Sequence, residues 1–130
     1  MQKKPTYHLS TFLNGEILRV VVTGEISKDN IKELANEVYD IVKLTNARKL
    51  LCDIREMQGR LGFTDVYLFL TNVPSLFFDI YTAFVDIPEN AKLQPFRQFV
   101  ARNTGLPAQW YTDADDAVFW LQSISKQAVS

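Results

Sequence analysis

Residues Lys49 to Leu70 read KLLCDIREMQGRLGFTDVYLFL, and this stretch decides the fold. A short apolar run, Lys49 to Ile54, has the length and composition of a buried strand. It carries an acid, Asp53, near its end. A loop with Gly59 and Gly62 follows. An apolar helix is then predicted over Phe63 to Val73, with Thr64 as its capping hydroxyl and Pro74 as its stop. Strand, glycine loop and helix in that order form the unit of an α/β sheet. In open α/β sheets, ligands sit in the loops at the carboxyl ends of the strands. The stretch therefore marks a candidate working edge without naming a substrate.

Toward the N-terminus, Thr6 to Leu13 and Glu16 to Thr23 are extended candidates around Asn14-Gly15, a two-residue hairpin signal of the type I′ kind. The continuous β-branched run Val20, Val21, Val22 suggests a strand buried on both faces. Ser27 is a good N-cap for a first helix. Ile31, Leu34, Ala35, Val38, Ile41 and Val42 form its inner stripe, and Asn46 is its left-handed stop.

Toward the C-terminus, Ile80 to Val85 reads as a strand, and Gln94 to Asn103 as a helix with Phe96, Phe99 and Val100 inward, closed by Gly105. Ala108 to Tyr111 is a short strand. Thr112 with Asp115 forms a capping box before a last helix, whose inner stripe runs through Ala114, Ala117, Val118, Leu121 and Ile124. The order β-β-α-β-α-β-α-β-α predicts one α/β domain over residues 1–130. Its sheet is mostly parallel with an antiparallel N-terminal edge strand, flanked by helices, and the ends at 1–5 and 125–130 are expected to fray.

Bulk composition excludes several function classes. With 130 residues and 47% hydrophobic side chains, the chain can bury one real core. Fourteen basic residues against fifteen acidic ones, net −1, leave no basic stripe for nucleic acid and no polybasic membrane anchor. The most apolar window, Tyr67 to Ile87, is interrupted by Asn72, Pro74, Asp79 and Asp86, which argues against a membrane span. The N-terminus has no apolar core of signal-peptide length, and the lone Cys52 allows no internal disulfide. A cytoplasmic protein is therefore expected.

The element order and two stretches, LLCDIREMQGRLGFTDVYLF and FRQFVARNTGLPAQWYTDADDAVFWL, resemble the STAS domain, the sulfate-transporter and anti-sigma-factor-antagonist domain. The second stretch has a helix ending in ARN-x-G, a short strand, a Thr-Asp cap and a helix ending in Trp-Leu. It resembles the branch of small stand-alone proteins similar to stage II sporulation protein AA (SpoIIAA-like). The resemblance implies a module that acts by binding rather than by bond-making chemistry. In regulatory members a hydroxyl at the start of the helix after the central strand is phosphorylated. The family pattern there is Asp-Ser-Ser-Gly, whereas this chain has Gly62-Phe63-Thr64-Asp65, leaving Thr64 as the only hydroxyl near that position. The strand-helix order also resembles lipid-transfer domains of the Sec14 type, a likeness of fold alone.

Two groups of residues stand out as candidate sites. The first is the loop: Asp53, Arg55, Gly59, Arg60, Gly62 and Thr64. Its amides and arginines could hold a small anion beside a helix N-terminus, or Thr64 could carry a phosphate. The second is apolar. Val66, Tyr67, Leu70 and Val73 share one face of the second helix, while Leu68 and Phe69 fall on the other. Leu76, Phe77 and Phe78 follow directly, and Phe119 lies off the inner stripe of the last helix. A helix apolar on more than one face is covered on more than one face, so a second copy of the chain, a protein partner or a small apolar ligand is expected there. No phosphate-binding lysine loop, dinucleotide fingerprint or serine elbow occurs. With one Cys and one His, Cys52 and His8, no metal site and no cofactor are expected.

Overall fold

The computed structural model describes residues 6–124, so the expected fraying at 1–5 and 125–130 lies outside the described residues. The first two strands, β1 (Tyr7–Asn14) and β2 (Ile17–Glu25), pair antiparallel. Their register puts Asn14 opposite Ile17, so the turn is centred on Gly15 and Glu16. Gly15 has φ +63, and it is the only left-handed residue of the turn. That is the type II′ pattern, with glycine at the first central position, rather than the expected type I′.

Three crossover connections then follow. Strands β3 (Lys49–Asp53), β5 (Tyr81–Val85) and β6 (Ala108–Tyr111) extend the sheet in parallel, in the order β1-β2-β3-β5-β6. A two-residue strand, β4 (Met57–Gln58), pairs with the end of β2. It is too short to show any periodicity and is not visible in the sequence pattern. The mostly parallel α/β sheet with an antiparallel edge is as the sequence predicts.

Helices α1 (Ile31–Thr45), α2 (Phe63–Thr71) and α3 (Gln94–Thr104) cover one face, and α4 (Ala114–Ser123) covers the other. Strand pleat explains this division. On β3, Leu50 and Cys52 pack under α1, while Leu51 meets Ala117 and Leu121 of α4. On β5, Phe84 faces α2 and α3, while Ala83 and Val85 face α4. The β2 run is buried fully on the α1 face through Leu18, Val20 and Val22, but Arg19 and Val21 on the other face are half-buried, because α4 does not reach that far.

Several helix boundaries differ from the sequence reading. Helix α1 starts at Ile31, not after Ser27. Ser27 instead closes a turn ahead of it, donating its N–H to Asn30 Oδ1 while its hydroxyl accepts from Asp29 N–H. The left-handed stop at Asn46 holds, with φ 57. Helix α4 is capped by Asp113, whose carboxylate accepts from the N–H groups of Asp115 and Asp116, so Thr112 is not the cap.

Helix α2 has Gly62 at its N-cap, and Thr64 lies exposed inside the first turn, with no capping bond. Its inward row is Val66, Phe69 and Leu70, at i, i+3 and i+4, and the helix ends at Thr71, short of the expected Val73, which packs against the same cluster from just past the helix end. Tyr67 is about one-quarter turn away and faces out. On α3 the inward row is Arg97, Val100 and Ala101, and Phe99 faces solvent. A buried arginine on the inner row disguised the apolar period there.

Candidate functional site

Strand β3 ends in an acid and β5 is followed directly by one, and these two acids organise the carboxyl edge of the sheet. Asp53 is the last residue of β3. Because it pairs with Val85, it lies on the α4 face. Arg55 grips it twice, Nε to Oδ1 at 2.9 Å and Nη2 to Oδ2 at 2.7 Å, and donates its backbone N–H to Oδ1 at 3.2 Å. Arg19 of β2 adds a longer contact of 3.5 Å. Burial raises the Asp53 carboxyl. The Arg55 hydrogen bonds and charge, with Arg19, outweigh it and hold the group below the ordinary carboxylate range.

Asp86, one residue past the end of β5, points to the opposite face, towards α3, and is completely buried. Its carboxylate accepts from Arg60 Nε and Nη2, Arg97 Nη1, Asn90 Nδ2 and the N–H of Ile87, at distances from 2.7 to 3.2 Å. Burial pushes this carboxyl up, but Arg60, Arg97, Asn90 and the Ile87 amide prevail and lower it to about 2. Arg60 gives the rest of its donors to the carbonyls of Ile54, Met57 and Gly59, so all five guanidinium N–H groups are used. Arg60 thus ties the loop between β3 and α2 to the end of β5.

Each candidate from the sequence can now be placed. Asp53 with Arg55, and Arg60 with Asp86, form two separate arginine-acid clusters on opposite faces. The arginines of the loop are committed to acids of the protein, and an incoming anion would have to displace them. Gly59 has φ +89, and a Cβ there would lie 2.4 Å from the Ile26 carbonyl oxygen, so this glycine is what lets β4 run close beside the β2 end. Gly62 is extended, with open space around it.

The apolar group divides. Phe69, Leu76 and Phe77 turn inward against the core, whereas Leu68 and Phe78 are exposed, and Phe119 is exposed on the other side of the sheet. His8 and Cys52 lie on strands separated by β2 and point to opposite faces. Cys52 is buried, and burial with the Asp53 charge pushes its thiol up to about 12.

Between the sheet and the helices lies a partly open apolar cavity of about 140 Å³. Val38 of α1 and Phe69 of α2 form opposite walls, and Leu50, Cys52 and Phe84 form the floor. Two charged side chains, Arg60 and Arg97, also reach its lining. Sequence reading pointed to the loop and the aromatic helix but passed over Asp86 and Arg97. The available signal was an acid at the carboxyl end of a strand run: Asp53 closes β3 and Asp86 directly follows β5.

Comparison with solved structures decides the fold. An anti-sigma factor antagonist from Mycobacterium paratuberculosis superposes with a TM-score of 0.63, covering 91% of this chain and 96% of its own at 14% identity. The chain has the SpoIIAA-like fold. A second structure, an uncharacterised protein with a SpoIIAA-like fold from Shewanella loihica, covers 93% of this chain and 98% of its own, with a TM-score of 0.59 and 11% identity. No family model and no curated protein matches the sequence. What this SpoIIAA-like domain shares with both structures is therefore architecture over nearly its whole length, while the arginine-acid clusters and the cavity are described from its own residues.

Proposed function

We propose that the chain is a non-catalytic binding module of STAS type whose bound species is a small apolar molecule held between the sheet and helices α1 to α3. The cavity carries this reading. At about 140 Å³ it matches an engineered interior cavity of roughly 150 Å³ that stays dry and admits benzene. Its lining is apolar apart from a short polar end, the pattern of sites that take small apolar ligands. The state of the acids supports binding over bond-making. A general base works best with a pKa near the operating pH, and Asp53 and Asp86 are both held well below it by arginines. The fold neighbour that is an anti-sigma factor antagonist supports a regulatory use of such a module.

Titration of the ¹⁵N-labelled protein with toluene tests the reading. Saturable shifts are expected at the amides of Val38, Leu50 and Phe69. They should disappear in Ala35→Phe, which fills the cavity from α1. Shifts confined to the surface, or equal in both proteins, would overturn it.

A second copy of the chain is the second reading. The outer side of α2 leaves Phe63 61% exposed, Tyr67 53% and Leu68 51%. Phe63 rests edge-on against Phe96, which carries the apolar patch across to α3. Patches of this kind mark interfaces. Sedimentation equilibrium should show a dimer that becomes a folded monomer in Leu68→Glu. A monomer at all concentrations in the unsubstituted protein would sink this reading.

A further inference from the structure

The polar end of the cavity has an unbalanced set of donors. One carboxylate, Asp86, faces two guanidinium groups. Arg60 is saturated by Asp86 and three backbone carbonyls. Arg97 is not. Its side chain is only 7% exposed, yet among the described residues it makes one hydrogen bond, Nη1 to Asp86 Oδ2 at 3.0 Å. Its remaining N–H groups have no acceptor there, and Arg97 is part of the cavity lining. One turn earlier on α3, Gln94 has a buried Nε2 that also lacks a partner. Residues three apart on a helix share a face.

Buried donors without acceptors are costly, and a guanidinium more so than an amide. Arg97, with donors to spare at the edge of an apolar cavity and one net positive charge in its cluster, calls for an acceptor that carries negative charge and brings an apolar body with it. We infer that the ligand is an amphipathic carboxylate, its small aromatic or aliphatic body in the cavity and its carboxylate on Arg97. Planar carboxylates suit a guanidinium fork, which holds them by two parallel hydrogen bonds. Thr82, a buried hydroxyl on the cavity floor, lies among the lining side chains and adds a further polar group at the sheet surface. The proposal rests on the apolar-ligand reading and specifies the chemistry of its head group.

The test compares matched pairs on the intact chain by calorimetry at neutral pH: octanoate against octanol, and phenylacetate against toluene. Within each pair the acid should bind about tenfold or more tightly, since hydrogen bonds to a charged group exceed neutral ones by that order. Arg97→Met should abolish the acid's advantage over its neutral partner within each pair. If that variant fails to fold, the matched pairs on the unsubstituted protein still decide the question. Equal affinity within both pairs would overturn the carboxylate inference and leave the apolar cavity reading intact. Absence of binding by all four probes would overturn both. Preference for octanoate over phenylacetate would assign the body as a chain, and the reverse as a ring.

Discussion

Replacing Asp86 with Asn tests the electrostatic argument most directly. The side chain keeps its shape and loses its charge. Arg60 and Arg97 would then remain buried without a counter-charge, at side-chain exposures of 13% and 7%. Removing one partner of a buried ion pair costs about 3–5 kcal/mol, because the surviving charge is stranded. The lowered carboxyl expresses the same contacts as a pH dependence. A carboxyl lowered from 3.8 to about 2 contributes roughly 2 kcal/mol at neutral pH, at about 1.4 kcal/mol per unit. The folded pKa is depressed, so this contribution is present in full above the unfolded value. It is lost as pH falls from about 4 towards 2. Urea unfolding at neutral pH should show Asp86→Asn less stable by about 3 kcal/mol or more, a large share of a typical domain's 5–15 kcal/mol. Between pH 4 and 2 the variant should lose less stability than the parent. Some acid sensitivity should remain, because the Asp53 carboxyl is also held low. A loss under 1 kcal/mol with an unchanged acid limb would refute the reasoning.

Local geometry sets four further outcomes. Gly59→Ala should lose about 1–3 kcal/mol in urea unfolding, because φ +89 and a 2.4 Å approach to the Ile26 carbonyl exclude a Cβ. Gly62→Ala, with a free surrounding and φ −70, should change stability by no more than about 0.5 kcal/mol. Asp113→Ala should cost about 1 kcal/mol through loss of the α4 cap, and Thr112→Ala distinctly less; thermal unfolding of the two side by side settles which residue caps the helix. Cys52, 7% exposed with its thiol raised to about 12, should react with a thiol reagent at neutral pH only as fast as the domain opens. Labelling that proceeds at the rate of a free cysteine would contradict its placement.

The sequence was most legible where a single physical rule governs a stretch. Strand β6 is predicted at the residues where it lies, and the inner stripe of α1 holds at Leu34, Val38 and Val42. It was less legible where two rules compete. At the hairpin, Asn14-Gly15 satisfies the I′ preference, but strand pairing continues to Asn14 and moves the turn on by one residue. At Thr64 the residue type favours a cap, yet the chain enters α2 through Gly62, which places the threonine inside the first turn. On α3 the apolar pattern pointed to Phe99, because an arginine at position 97 does not read as a core residue until its partner is known.

That last case explains why the site itself stayed hidden. Asp86 and Arg97 are eleven residues apart, and Asp86 and Arg60 are twenty-six. Neither pair has helical or strand spacing, so periodicity cannot bring them together. Only the parallel register does so, by bringing the end of β5 beside the end of β3 and the loop that follows it. Such a buried cluster is an expensive way to hold a loop, since apolar side chains of similar volume would serve stability as well or better. Arg60 accounts for its own burial by tying three loop carbonyls to the sheet edge. Arg97 does not, because one hydrogen bond to a carboxylate already held by four other donor contacts adds little to the loop. Its place on the inner row of α3, where Val100 and Ala101 are its neighbours, is explained by what its free donors can hold at the edge of the cavity.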